Sequence, residues 1–324
     1  MPQQFVEDYT MLYQGKWQQN WNPYQKTGDN GDFVRQTSQF RSQVTHDGRD
    51  YGFKAEPGRY HLYLAKICPW ASRTLMARAL LGLEDVISVS FVEPFLTDKG
   101  WRFGNYPGAG PDPLHNFQHV HELYTHADAQ VTGRATVPIL WDKQRDTLVN
   151  NESADILKML NSVFAPLGTR PINLRPEPQL NELDALNDDL YHRLNNGVYR
   201  AGFAKSQTAY DAAVDDVFSA LDDMEVRLNQ RRFLLGENLT EADIRLFVTL
   251  VRFDAAYHGL FKCNRRTLAS YANLSHYLER IYQLPGIAET VDLDHIKAGY
   301  YSVKALNPTG IIPTGPELNW RAAS

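Results

Sequence analysis

Cysteine is scarce in this chain, because its 324 residues include only Cys68 and Cys263. Two cysteines cannot build the disulfide framework that staples many small secreted domains. The first ten residues, MPQQFVEDYT, also lack the basic and apolar segments of a secretory signal. These absences predict a cytoplasmic protein whose thiols are reduced.

Long apolar runs and blocks of basic residues are also missing. No stretch approaches the ~20 apolar residues of a membrane-spanning helix, so we expect no membrane segment. The 33 Lys and Arg residues are outnumbered by 38 Asp and Glu residues, and the formal net charge is −5. We therefore expect no nucleic-acid partner. An aromatic fraction of 12% and a charged fraction of 22% are typical of a folded globular protein.

Strand patterns and helix patterns divide the chain unequally. Strand-like runs alternate with helical runs before a proline-rich stretch, and only amphipathic helical patterns follow it. The predicted organisation, in chain order, is an N-terminal arm (1–55, with aromatic residues such as Trp17, Trp21, Tyr24, Phe33 and Phe40), an α/β domain (56–165) with an insertion (94–130), a linker (166–180), an all-helical domain (181–302) and a tail (303–324).

One cysteine stands where a strand meets a helix. The run His61–Ala65 is strand-like, Cys68 follows it, and Pro69 suits the first turn of a helix. A helix N-terminus offers unpaired N–H groups and the positive end of the helix dipole, and both favour a thiolate. Lys66 and Arg73 add positive charge if they point toward the sulfur. We expect a thiol pKa well below ~8.5; the alternative is a small buried apolar side chain.

The residues after this cysteine limit its chemistry. In the motif CPWA, Ala71 occupies the position where a dithiol oxidoreductase carries its second cysteine. Cys68 therefore cannot close a local disulfide, and a mixed disulfide on it needs an external thiol such as glutathione. Cys263, in the helical half, is the less favoured alternative as a resolving partner.

Several motifs together resemble one family, the glutathionyl-hydroquinone reductases, which are the Xi-class glutathione transferases. The similarity covers most of residues 15–315 and is carried by CPWA (68–71), GW (100–101), TVPILWD (136–142), NNGVY (195–199), LTEADIRLF (239–247) with TLVRFD (249–254), PGIAETV (285–291) and NPTGII (307–312).

The resemblance implies a thioredoxin-like N-terminal domain followed by the all-helical C-terminal domain of a glutathione transferase. It also implies reduction of glutathionyl-hydroquinones to hydroquinones through a cysteine–glutathione mixed disulfide, with release of glutathione disulfide. Glutathione would be the co-substrate, with no bound cofactor and no metal, and the protein would be a homodimer.

The resemblance assigns roles to individual residues. Cys68 is the catalytic nucleophile, and Pro138 follows a cis peptide bond. The residues implied for glutathione are Trp101, Arg134, Val137, Glu152 and Ser153, and those implied for the hydroquinone are Tyr199, Tyr257 and Tyr300. Without the resemblance, an edge-strand proline, a helix-capping serine and ordinary surface or core side chains would explain the same residues.

Thr240 and Asp243 are predicted to be structural. Thr240 suits the N-cap of a helix and Asp243 stands three residues later, as in a capping box, while Leu239 and Ile244 can pair as a hydrophobic staple. Loss of this cap should cost on the order of 1 kcal/mol.

Four histidines in the insertion offer a competing interpretation. His115, His119, His121 and His126 are close in sequence, and His115 and His119 would share a helix face. Such a group can bind zinc. No cysteine is near and the resemblance implies no metal, so we predict a solvated polar helix.

Two other functions remain open. An omega-like thioltransferase or dehydroascorbate reductase would use the same cysteine. It would not require the three tyrosines, which favour a hydroquinone substrate. A non-catalytic binding protein of the same fold would not need an activated thiol, and an ordinary thiol pKa near 8.5 would favour it.

Overall fold

The computed structural model describes residues 11–19 and 37–318, so the predicted arm residues Trp21, Tyr24 and Phe33 lie outside the described residues. The strands are β1 (Met11–Tyr13), β2 (Lys16–Gln18), β3 (Tyr60–Leu64), β4 (Ile87–Phe91), β5 (Leu96–Thr97), β6 (Gly100–Trp101), β7 (Ile139–Asp142) and β8 (Thr147–Asn150). The α-helices are α1 (Pro69–Leu80), α2 (Val120–Ala127), α3 (Ser153–Met159), α4 (Leu180–Asp189), α5 (Gly197–Gly202), α6 (Gln207–Leu228), α7 (Glu241–Arg252), α8 (Ala272–Tyr282) and α9 (Leu293–Tyr301). Short π-helical turns extend α3, α4 and α7 at Leu160–Phe164, Leu190–Asn195 and Phe253–Tyr257.

A four-stranded mixed sheet forms the centre of the first domain, in the order β4-β3-β7-β8. Strands β3 and β4 are parallel and α1 connects them, whereas β7 is antiparallel to both β3 and β8. All five residues of β3 are buried, including His61, because this strand is paired on both sides, with β4 and with β7. Helix α1 packs against α3 and against α7 of the helical domain. The junction between β3 and α1 therefore lies where the two domains meet.

The insertion at 94–130 is more ordered than a loop, because it contains β5, β6 and α2. The prediction that His115 and His119 share a helix face is wrong, since α2 begins at Val120 and His119 is its N-cap. Glu122 causes this start: its carboxylate accepts from the backbone N–H of His119 at 2.9 Å and completes a capping box.

Strand β7 begins later than its sequence pattern indicates. Thr136 and Val137 are β-prone, but the strand starts at Ile139. Pro138 has no amide hydrogen to donate to a strand ladder, so the regular pairing starts after it.

The capping box predicted at the start of α7 is present. Asp243 accepts from the Thr240 backbone N–H at 2.7 Å, and the reciprocal bond is also made. Asp243 further accepts from the Leu234 N–H at 2.8 Å and from the Tyr277 hydroxyl at 2.9 Å. This one carboxylate therefore joins α7 to α8 and to the preceding loop.

In residues 11–19 and 37–318, no helix combines the length and apolar character needed to cross a membrane. The segment 303–318 contains no helix or strand and is largely exposed.

His61 on β3 predicts a pH effect on stability. Its ring nitrogens contact the Ser88 and Ser90 hydroxyls, both at 2.8 Å, and burial lowers its pKa to about 4. A histidine in the unfolded chain has a pKa near 6.5, so between pH 6.5 and 4 the unfolded chain binds a proton at His61 that the folded chain does not bind. Lowering the pH through this range therefore favours unfolding. The free energy of unfolding should fall by roughly 3 kcal/mol between pH 6.5 and 4 from this residue.

Urea unfolding at pH 7 and pH 4.5 measures that effect. His61→Gln should flatten the acid limb of the stability curve relative to the wild type. An equal loss of stability in both proteins would show that His61 does not cause it.

Candidate active site

Cys68 is the N-cap of α1, as the sequence predicts. Its carbonyl accepts from the Ser72 N–H at 2.9 Å, which begins the helix. The side chain is partly buried, and Sγ donates to the Val137 carbonyl at 3.6 Å. The sulfur therefore lies between the first turn of α1 and the loop that precedes β7.

A cleft of about 280 Å³ adjoins this loop. Its volume is close to the lower end of small-ligand sites, roughly 300 Å³. Thr37, Ser38 and Gln39 of the N-terminal arm form part of its wall, so the arm contributes to the site. The cleft lining includes five residues predicted from the sequence: Arg134, Val137, Pro138, Glu152 and Ser153. The Val137–Pro138 peptide is cis, as the resemblance implied.

The N-terminus of α3 opens onto the cleft. Glu152 is the N-cap of this helix, and its carboxylate accepts from the Ala154 N–H at 3.2 Å and from the Ser38 hydroxyl at 2.9 Å. Ser153, the first helical residue, is 2% exposed. Glu152 is therefore held by hydrogen bonds instead of being simply solvated, which was the alternative interpretation.

Guanidinium groups give the cleft a positive wall. Arg73 is buried, donates to Asn195 Oδ1 at 2.7 Å and lies 4.3 Å from the centre of the Trp70 ring. Burial lowers its pKa to about 9, so it is still mostly charged at neutral pH. Arg245 also lines the cleft and pairs with Glu241. The sequence does not predict Arg245 as a site residue, because it follows Asp243 in a helix that was interpreted only as structural.

The three predicted tyrosines come together on the other side of Trp70. The Tyr300 hydroxyl lies 2.6 Å from the Tyr199 hydroxyl and 2.8 Å from the Tyr257 hydroxyl. Burial raises the pKa of Tyr257 and of Tyr300 well above 10, so both stay protonated and able to donate. The Tyr199 ring lies 6.4 Å from the Trp70 ring, which connects this tyrosine cluster to the first turn of α1.

Two contacts from the helical domain hold the segment just before Cys68. Arg252 is buried and donates to the Lys66 carbonyl and the Ile67 carbonyl, each at 2.9 Å. A Cβ atom on Gly299 would lie 2.3 Å from Ile67 Cδ1 and 2.5 Å from the Pro94 carbonyl oxygen, so glycine lets α9 pack closely against the Ile67 side chain and this backbone. The sequence does not predict either contact, although Arg252 falls within the motif TLVRFD (249–254) of the resemblance.

Three predicted features take other positions. Trp101 lies in β6, paired with Leu96, and does not line the cleft. Lys66 pairs with Asp292 at 2.9 Å. Cys263 is fully buried, and burial raises its thiol pKa to about 12, so it is a poor resolving nucleophile.

Family models match both halves of the chain. The N-terminal domain of glutathione S-transferases matches residues 67–163, and their C-terminal domain matches residues 207–280. A cysteine at the first helix of an α/β domain, beside a cleft and joined to an all-helical domain, is the arrangement of a glutathione transferase.

Similar proteins show to which class of glutathione transferases the chain belongs. Glutathionyl-hydroquinone reductase YqjG of Escherichia coli is 49% identical over 94% of both chains, and glutathionyl-hydroquinone reductase PcpF of Sphingobium chlorophenolicum is 47% identical over 94% of this chain and 96% of the other. The glutathione-bound structure of YqjG aligns with a TM-score of 0.85 over 87% of this chain and 94% of that chain. The Xi-class transferase of Natrialba magadii aligns with a TM-score of 0.91 and 43% identity over 98% of this chain and 97% of that chain. The chain therefore belongs to the glutathione transferase family and, within it, to the Xi class of glutathionyl-hydroquinone reductases.

Proposed function

We propose that this protein reduces glutathionyl-hydroquinones to hydroquinones with glutathione as the reductant. The observation that carries the proposal is the first turn of α1: Cys68 adjoins the loop that lines the cleft, and Trp70 both lines the cleft and lies beside Tyr199 of the tyrosine cluster. The names of YqjG and PcpF and the glutathione bound to YqjG support the same activity.

The first half-reaction breaks the bond between sulfur and the aromatic ring. The Cys68 thiolate attacks the glutathione sulfur, and the ring carbon leaves with the electron pair of the C–S bond. That carbon is a poor leaving group unless the ring first becomes its keto tautomer, in which the electron pair moves to the carbonyl oxygen. A tyrosine hydroxyl can donate a hydrogen bond to that oxygen. The products are the hydroquinone and a disulfide between Cys68 and glutathione.

The second half-reaction restores the thiolate. The thiolate of a second glutathione attacks the glutathione sulfur of the mixed disulfide, and Cys68 leaves as the thiolate. The sum converts one glutathionyl-hydroquinone and one glutathione into one hydroquinone and one glutathione disulfide. The two glutathione sulfurs are oxidised to a disulfide while the ring carbon is reduced by two electrons. The scheme therefore requires no flavin, nicotinamide or metal.

The cleft supplies partners for each part of glutathione. The first N–H groups of α3, with Ser153, suit the γ-glutamyl carboxylate. The Val137 backbone suits the cysteinyl part, because its carbonyl already faces Cys68. Arg134, which lines the cleft, suits the glycyl carboxylate. We also propose that the protein is a cytoplasmic homodimer and that its domains have the boundaries given in the sequence analysis.

Mass spectrometry of the Cys68 peptide tests the proposal. One equivalent of a glutathionyl-hydroquinone, added without free glutathione, should release hydroquinone and leave a glutathione adduct on Cys68. Added glutathione should then remove the adduct. Release of hydroquinone without an adduct would contradict the mechanism, and an adduct formed only from dehydroascorbate or simple disulfides would favour an omega-like thioltransferase.

Tyr300→Phe should slow the first half-reaction selectively. The Tyr300 hydroxyl is bonded to both other hydroxyls of the cluster, so its loss should reduce kcat/KM for the glutathionyl-hydroquinone by about 10²-fold. Steady-state kinetics measures this loss. The reaction of glutathione with the preformed mixed disulfide should keep its wild-type rate, and Tyr301→Phe is the matched control. A loss of equal size in both half-reactions would contradict a role at the hydroquinone oxygen.

A further inference from the structure

Two imidazoles and one carboxylate converge away from the active-site cleft. His115 Nε2 lies 2.6 Å from Asp146 Oδ1, and His126 Nε2 lies 2.7 Å from Asp146 Oδ2. One potential ligand atom from each residue lies within 4.8 Å of the other two. None of these residues lines the cleft or contacts the tyrosine cluster described above.

Three separate segments supply these groups. His115 precedes α2, His126 lies in its last turn, and Asp146 lies in the turn between β7 and β8. The cluster therefore joins the insertion to the central sheet.

The surroundings favour a bound cation. Asp112 is 1% exposed, and its Oδ2 lies 3.5 Å from His115 Nδ1. Its carboxylate is fixed by the Tyr63 hydroxyl at 2.8 Å. In metal sites, a carboxylate behind a histidine directs the proton to one ring nitrogen and leaves the lone pair of the other for the metal. Nδ1 of His115 is buried and makes no hydrogen bond in the present geometry, so Asp112 does this for His115 only after the imidazole turns toward it.

Aromatic rings form a wall behind the two imidazoles. The His115 ring stacks on Phe117 at 4.9 Å, and the buried Trp141 ring lies 5.2 Å from His115 and 5.9 Å from His126. These contacts limit the movement of both imidazoles, so the two side chains lose little conformational entropy when a ligand binds.

We propose that His115, His126 and Asp146 bind one divalent transition-metal ion of the zinc type. Two imidazole nitrogens and one carboxylate oxygen are three ligands that Zn²⁺ accepts, with water in the fourth position. Binding requires the two nitrogens and the carboxylate to close around the ion at ~2.0–2.2 Å in place of their present hydrogen bonds. The ion clamps the insertion to the β7–β8 turn and takes no part in the thiol chemistry.

Cobalt titration tests the site on the full-length chain. The protein carries no affinity tag, is treated with a chelator and desalted, and is titrated with Co²⁺ while visible absorption and equilibrium dialysis are recorded. We expect one Co²⁺ per chain, displaced by Zn²⁺. His126→Gln and Asp146→Asn each remove a ligand from an at least partly exposed position and should raise the Kd at least tenfold.

His192→Gln is the matched control. His192 also pairs with an aspartate, Asp188, at 3.4 Å, but both side chains are exposed and no third ligand is present among the described residues. This variant should bind Co²⁺ as the wild type does. The proposal is overturned if the wild type binds no Co²⁺, or if His126→Gln and Asp146→Asn, folded by circular dichroism, both keep wild-type affinity.

Discussion

Replacing Cys68 with alanine should reduce turnover of a glutathionyl-hydroquinone by on the order of 10³-fold or more, while glutathione still binds. The nucleophile would be lost, but the cleft formed by the loop before β7 and the start of α3 does not depend on the sulfur. Steady-state kinetics measures the first effect and calorimetric titration with glutathione the second.

Cys263→Ala is the matched control for this prediction. Its thiol is buried in the helical domain, so its removal should leave kcat near the wild-type value. Turnover retained in Cys68→Ala would remove the thiol from the mechanism. Cys68→Ser is a less clean test, because its hydroxyl could bind the substrate without attacking it.

Replacing Arg252 with methionine should damage both the fold and the reaction. The guanidinium donates to the carbonyls of Lys66 and Ile67 and, at 2.6 Å, to the Ser72 hydroxyl. Each buried acceptor that loses its donor costs about 1–3 kcal/mol, so the loss of three donors should lower the free energy of unfolding by at least about 3 kcal/mol. Because the released segment leads directly into Cys68, kcat/KM should fall about 10²-fold.

Urea unfolding and steady-state kinetics at low temperature separate these two effects. Arg265→Met provides the comparison, since Arg265 pairs with Asp215 where both are exposed and should change stability by less than about 1 kcal/mol. Arg252→Lys should restore part of the stability but not the simultaneous contact with two carbonyls. Wild-type kcat/KM in folded Arg252→Met would show that Arg252 does not position the thiol.

Features set by neighbouring residues were predictable in detail. Cys68 stands at a helix start because Pro69 begins the helix, and Thr240 caps α7 because Asp243 lies three residues later. The start of α2 was missed although Glu122 carried the same signal, because histidine is an unusual N-cap residue.

The tyrosine cluster was predictable only through the resemblance to a family. Tyr199 and Tyr300 are 101 residues apart, and nothing in their spacing indicates a hydrogen bond between their hydroxyls. Trp70 was visible as part of the CPWA motif, but its position between the cleft and these tyrosines depends on how α1 packs against the helical domain.

The sequence by itself determined a solitary thiol at the first turn of a helix, without a second cysteine near it in the chain to form a disulfide. Helix starts depend on hydrogen bonds among residues a few positions apart, so a short segment contains the necessary information. Only the tertiary structure decided which groups surround that thiol: Arg252 reaches back 185 residues to the Ile67 carbonyl, and His115, His126 and Asp146 meet from three segments. Such contacts follow from the packing of whole elements against one another, which residue spacing does not specify.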